Sequence, residues 1–157
     1  MEKEAPQGEL ALCCRPAAAE DFPFLFSVLK ENIQELYQEA FGSWEDVEEQ
    51  AFLRQDLAEA PYHLLCRGEA PIGFFSVEEQ SDAWFVRELQ LLRGEQGRGV
   101  GTCFLLALHA HAAAAGKNLR LEVLKGNQAA ARLYEKLGFR ETGQNATHKT
   151  MEQKVRR

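Results

Sequence analysis

The sequence predicts a mixed α+β fold: a mostly antiparallel sheet of about seven strands covered by helices on both faces. Three observations carry this. Strand-like and helix-like segments alternate in the order β-α-α-β-β-β-α-β-α-β-β. The three central strand-like segments, between Tyr62 and Leu92, are joined by turns too short for a crossover helix, so they form an antiparallel meander. The helical segments show apolar residues at three- and four-residue spacing and end at Gly or Pro.

Taken in order, Leu10 to Arg15 reads as a strand stopped by Pro16. Glu20 and Asp21 open a helix to about Glu39, with Phe22, Leu25, Phe26, Leu29 and Ile33 on one face. Gly42 and Ser43 break it, and Ser43 is the expected N-cap of a second helix from Trp44 to about Leu57. Tyr62–Arg67 and Pro71–Glu79 flank a Gly68-Glu69 turn, and Ala83–Leu92 completes the meander. A glycine-rich turn, Gly94 to Gly101, leads into a helix ending near Ala115 before Gly116. Leu119–Leu124 alternates as a strand, Gln128–Leu137 is a helix stopped by Gly138, and two last strands run over Phe139–Thr142 and Asn145–Lys154.

A length of 157 residues suits one domain, 1–157, and 45% hydrophobic residues suffice for a buried core. No apolar run approaches the roughly 20 residues of a membrane span. Met1 to Gln7 is charged and lacks a signal-peptide core, so a cytoplasmic protein with no membrane partner is expected. Cys13, Cys14, Cys66 and Cys103 have neither redox-motif nor zinc spacing and read as reduced thiols. No cluster has metal-ligand spacing. The net charge of −6 hides an asymmetry: residues 1–79 carry 17 acidic and 5 basic side chains, residues 80–157 carry 7 and 13. That division suits an anionic and a cationic ligand, or merely a solvated acidic first half. The basic residues are scattered, which disfavours nucleic acid.

Gln96-Gly97-Arg98-Gly99-Val100-Gly101-Thr102 lies between a strand and a helix. Alternating glycines permit a sharp turn and close ligand approach, and the helix start offers free N–H groups and partial positive charge. Together they suit a pyrophosphate, with Arg98 able to reach a phosphate or remain solvated. A Walker A loop would need a lysine before Thr102, and the Rossmann spacing is wrong.

These residues resemble the GNAT superfamily of N-acetyltransferases, in particular uncharacterised bacterial members. The family's Q/R-x-x-G-x-G/A signature matches Gln96 to Gly101, followed by Asn127 and by Ala131-Arg132-Leu133-Tyr134-Glu135-Lys136-Leu137-Gly138-Phe139. The looser first half is similar to that group at Phe41-Gly42-Ser43-Trp44-Glu45, and the end is similar at Thr147 to Met151. The resemblance implies a twisted sheet splayed between its fourth and fifth strands, with acetyl-coenzyme A as co-substrate. It implies that backbone groups of Leu91 and Arg93 pair with the pantetheine arm. The amides of Gln96, Gly97, Arg98, Gly99, Val100, Gly101 and Thr102 would hold the pyrophosphate. Asn127 would bond the pantetheine or fix its turn, and Tyr134 would lie near the thioester sulfur.

The implied reaction moves an acetyl group to a primary amine by direct attack. A backbone N–H near Leu91 would stabilise the oxyanion. Tyr134 would protonate the departing thiolate, unless it only packs on the sheet, and Glu88 would accept the amine proton, unless it pairs with Arg87 or Arg120. Tyr37, Trp44, Glu45 and His148 are candidate acceptor-binding residues, each with a packing or solvated alternative. The expected acceptor is a small-molecule or peptide amine, cationic by the charge asymmetry, and no metal is needed. A homodimer is compatible with the family. The alternative is a domain that binds acyl-coenzyme A without turnover.

Overall fold

The structure is a computed structural model and describes residues 12–155. Its elements are β1 (Leu12–Pro16), α1 (Phe22–Phe41), α2 (Asp46–Glu59), β2 (His63–Arg67), β3 (Ala70–Glu79), β4 (Ala83–Leu91), α3 (Val100–Ala114), β5 (Asn118–Leu124), α4 (Gln128–Lys136), β6 (Arg140–Gln144) and β7 (His148–Gln153). The order is the one the sequence predicts, with two short 3₁₀ turns added, Ala19–Asp21 and Arg93–Glu95. The first strand was expected from Leu10, but Leu10 and Ala11 lie outside the described residues, as do the last two of the basic C-terminal residues.

All strands join one seven-stranded sheet in the order β1-β2-β3-β4-β5-β7-β6. Every neighbouring pair is antiparallel except β4–β5. Successive strand residues point to opposite faces, so Leu64 and Leu65 serve different cores. Leu64, Cys66 and Phe74 pack under α1 and α2 with Leu25, Val28 and Trp44. On the other face Leu65 and Ile72 meet Val100 and Phe104 of α3. The same face continues as Leu119, Leu121 and Val123 under Leu108 of α3 and Ala130 and Tyr134 of α4.

Helix boundaries follow local chemistry. At the start of α1, Asp21 accepts from the Ala18 N–H at 2.7 Å, and the helix ends on Gly42 at φ 87°. The expected N-cap of α2 is corrected: Glu45 occupies that position and Ser43 lies two residues before it. Trp44 is the reason. Its ring is buried at 7% exposure against Phe26 and Tyr37, and its Nε1 donates to Asp46 Oδ1 at 2.8 Å, which keeps residues 43–45 out of the helix.

Two features of β3–β4 prepare the site. Ser76 pairs with Glu88 but Val77 with Val86, leaving Arg87 as an extra residue. This bulge puts Val86 in the α3/α4 core and Glu88 on the α1/α2 face. At Gly73 a Cβ would lie 2.3 Å from the Gln90 carbonyl oxygen, so the close approach of the two strands there requires glycine.

Candidate active site

The β4–β5 ladder contains four pairs and stops at Val86 with Leu121. Both strands continue, β4 to Leu91 and β5 to Leu124, so the sheet opens between them. A groove of about 960 Å³ occupies the opening. It is large enough for an extended ligand arm.

One end of the groove is the glycine-rich turn. Gly97 and Gly99 hold φ values of 73° and 82°, the left-handed region that side chains avoid. Gly99 caps α3 without a side-chain bond, and the first helical bond is Cys103 N–H to Gly99 O at 2.9 Å. The N–H groups of Val100, Gly101 and Thr102 therefore have no acceptor within the helix. This is the dipole end of a 15-residue helix, a ready site for phosphate oxygens. The Val100 side chain itself is in the core. Arg98 lies outside the groove lining, with Nη1 3.9 Å from Glu95, whose carboxylate also binds Arg67 at 2.8 Å.

The open edge of β4 is the second component. Leu92 N–H donates to Ile72 O at 2.9 Å, and antiparallel alternation then turns the Leu91 N–H and C=O away from β3, into the opening. The Leu91 carbonyl accepts from Asn32 Nδ2 at 2.8 Å and Gln96 Nε2 at 3.1 Å. Arg93 lines the groove and binds back to Glu31 through its guanidinium. Asn127 also lines it, and its side chain accepts from Ala130 N–H at 3.3 Å as the N-cap of α4.

Two ionisable side chains face the middle. Glu88 comes from β4 and Tyr134 from α4, on opposite faces of the sheet. Enclosure by protein pushes the Glu88 carboxyl above the ordinary carboxylate range, while the Gln90 hydrogen bond at 3.0 Å opposes that shift. Among the described residues Glu88 has no ion-pair partner. Arg87, the expected competitor, binds Asp56 and Glu78, and Arg120 binds Asp82 and Glu152. Burial, and then the charge of Glu88, push the Tyr134 phenol up to about 12. The ring packs on Phe139 at 5.8 Å.

The expected acceptor residues separate into two groups. Tyr37 and His148 line the groove, bridged on its outside by the exposed Phe41, whose ring centroid is 4.4 Å from Tyr37 and 6.4 Å from His148. Trp44 is in the core, and Glu45 is exposed at the start of α2; neither lines the groove. Asn32, Asp56 and Gln90 line it and were not anticipated. Gln90 was within reach of sequence reasoning, two residues from Glu88 on the same strand face. Asn32 and Asp56 carried no local signal, since they meet β4 only through the fold.

Open amides at the start of α3, a strand edge with inward N–H and C=O groups, and a groove joining them fit a long molecule that carries phosphates at one end. They define an acetyltransferase-type fold. The chain belongs to the acetyltransferase (GNAT) family, whose model matches residues 30–139. Acetyl-coenzyme A is the co-substrate of that family. No curated protein matches the sequence significantly. Among solved structures, PaiA N-acetyltransferase from Thermoplasma acidophilum, in complex with coenzyme A, is similar with a TM-score of 0.72 at 18% identity, over 92% of this chain and 99% of that one. PH1933 from Pyrococcus horikoshii gives a TM-score of 0.74 at 16% identity, covering 93% and 99%. An acetyltransferase from Thermus thermophilus gives 0.69 at 22%, covering 92% and 97%. At these identities the likeness is one of fold. No helix of the described residues is long and apolar enough to cross a membrane.

Proposed function

We propose that this protein transfers the acetyl group of acetyl-coenzyme A to the primary amine of a cationic small molecule or peptide by direct attack. The observation that carries this is the groove between β4 and β5, in which open helix amides, the Leu91 backbone, Glu88 and Tyr134 meet. The coenzyme A bound to the Thermoplasma relative supports the donor.

In this reading the amides of Val100, Gly101 and Thr102 hold the pyrophosphate. The Leu91 and Arg93 backbones pair with the arm. When bound, the donor supplies an activated acetyl thioester. Glu88 takes the proton from the incoming ammonium: no cation among the described residues pairs with it, and its raised proton affinity brings it nearer neutrality. The Leu91 N–H faces the opening and serves as oxyanion donor. Tyr134 holds its proton more tightly than a free phenol, so it steadies the departing sulfur as a hydrogen-bond donor, and as the C–S bond breaks the second proton lost by the attacking nitrogen passes to that sulfur. Tyr37 and His148 border the acceptor, and an unpaired Glu88 favours a cationic one.

The test has two parts: calorimetric titration with acetyl-coenzyme A and with coenzyme A, then release of free thiol in the presence of a panel of amines. Donor binding with amine-dependent thiol release that Glu88→Gln abolishes supports the reading. Binding without turnover across polyamines, aminoglycosides, amino acids and peptide N-termini would leave a donor-sensing domain in its place.

A further inference from the structure

A file of aromatic rings runs from the core to the wall of the groove. Between ring centroids, Phe26 lies 6.4 Å from Trp44, Trp44 5.6 Å from Tyr37, Tyr37 4.4 Å from Phe41, and Phe41 6.4 Å from His148. The inner members, Phe26 and Trp44, are buried, whereas Phe41 is 47% exposed. A single exposed apolar ring means little by itself. Phe41 is set apart by its place, because it touches two residues of the groove wall, Tyr37 of α1 and His148 of β7.

The three outer rings are held before any ligand arrives. Phe41 is the last residue of α1, and Gly42 turns the chain away at φ 87°. Tyr37, one helical turn earlier, has the buried Trp44 against it. The His148 N–H donates to Asn145 Oδ1 at 2.8 Å, and its Nδ1 lies 2.8 Å from Thr147 Oγ1. Walls fixed in this way lower the ordering cost of binding. Tyr37 also links the rings to the reacting end of the groove. Burial first, then the charges of Glu49 and Glu88, push its phenol up, so the ring lies between Glu88 and Phe41. Such a wall matches an ammonium with a flat apolar group a few bonds away: the ammonium meets Glu88 and the face of Tyr37, and the flat group stacks on Phe41. Asp56 is not free for a second ammonium, since it binds Arg87 and Tyr62. Glu122 also lines the groove, which makes a polyamine the rival acceptor.

We propose that Phe41, with Tyr37 and His148, is the specificity wall of the acceptor site and selects an arylalkylamine, a primary amine joined to an aromatic ring by a short carbon chain. This rests on the reading of the groove as an acetyl-transfer site. The amine nitrogen forms a bond to the acetyl carbon and the carbon–sulfur bond breaks. Of the two protons the ammonium loses, one goes to Glu88 and the other to the departing sulfur. Phe41 takes no part in these steps. It acts by burying the acceptor's ring, so its contribution falls on acceptor affinity.

The experiment measures thiol release at saturating acetyl-coenzyme A with 2-phenylethylamine, n-propylamine and spermidine. In the wild type, kcat/KM for 2-phenylethylamine should exceed that for either other amine by roughly 10- to 100-fold. Phe41→Ala should shrink its lead over n-propylamine to less than about 5-fold, through KM, and Phe41→Leu, apolar without a flat face, should fall between. Phe41 is at an exposed helix end, and Phe41→Leu carries the test should Phe41→Ala fail to fold. If none of the amines releases thiol, the acetyl-transfer reading fails and this proposal with it. If thiol is released but n-propylamine or spermidine serves as well as 2-phenylethylamine, or if the variants keep the wild-type ratio, the transfer reading stands and the aromatic wall is overturned. Sedimentation velocity on the same samples covers the remaining occupant: a Phe41→Ala variant that loses a dimer yet keeps the ratio assigns the ring to a contact between copies, which also overturns the proposal.

Discussion

The two halves of β4 share one strand and one partner on the β3 side, yet they differ in almost everything else. From Ala83 to Val86 the strand is hydrogen-bonded on both edges, and its inward residues Ala83 and Val86 are buried. From Arg87 to Leu91 the β5 edge is open, and Arg87, Glu88 and Gln90 supply ionisable and amide groups to the groove. The bulge at Arg87 marks the boundary. A sheet that closed fully would satisfy every backbone group and leave nothing to recognise a ligand. Here stability is invested in the first half, and the second keeps an edge that no strand pairs, with its Leu91 carbonyl met only by the side chains of Asn32 and Gln96.

The strongest effect is expected where chemistry is removed from the open half alone. Glu88→Gln should lower kcat/KM for the acceptor by roughly 100- to 1000-fold with little change in donor affinity, measured by steady-state kinetics and calorimetry. It should also abolish the acid limb of the pH–rate profile, because the group that must lose its proton on that limb is gone. Gly73→Ala strikes the close approach that holds the open half in place. Its Cβ meets backbone at 2.3 Å, so denaturant unfolding should show a loss of about 2–3 kcal/mol. In the paired half, Val86→Ala, at 5% exposure, should cost about 1–3 kcal/mol of stability without moving the midpoint of that pH–rate profile. Tyr134→Phe should be the mildest, lowering kcat about 10-fold with donor affinity retained. An effect of Val86→Ala on the pH profile, or of Glu88→Gln on stability alone, would contradict the division.

The fold was more legible in sequence than the lining of the open half, and for a physical reason. Strands, helices and their ends come from local signals: the period of Leu119, Leu121 and Val123, and Gly42 and Gly138 in left-handed conformation where helices stop. The glycine-rich turn was legible because its backbone requirement is written in consecutive residues. The position of Ser43 misled because a tertiary contact, the burial of Trp44, outweighed a local capping preference. Asn32 is 58 residues from Gln90, and Asp56 is 31 from Arg87. Such pairings exist only after α1 and α2 have packed across the sheet, so no local pattern announces them. Trp44 and Tyr37 looked alike as aromatic candidates, and burial, which composition does not reveal, separated them.

The proposed chemistry depends first on whether the opening between β4 and β5, with the start of α3, receives coenzyme A. The most direct measurement is an amide ¹H–¹⁵N NMR titration with coenzyme A. Concerted shifts are expected at Val100, Gly101, Thr102 and Leu91, with the β1–β2 pair unchanged. Saturable binding whose shifts fall outside the groove, or no shifts at all, would contradict the assignment of the groove to the donor.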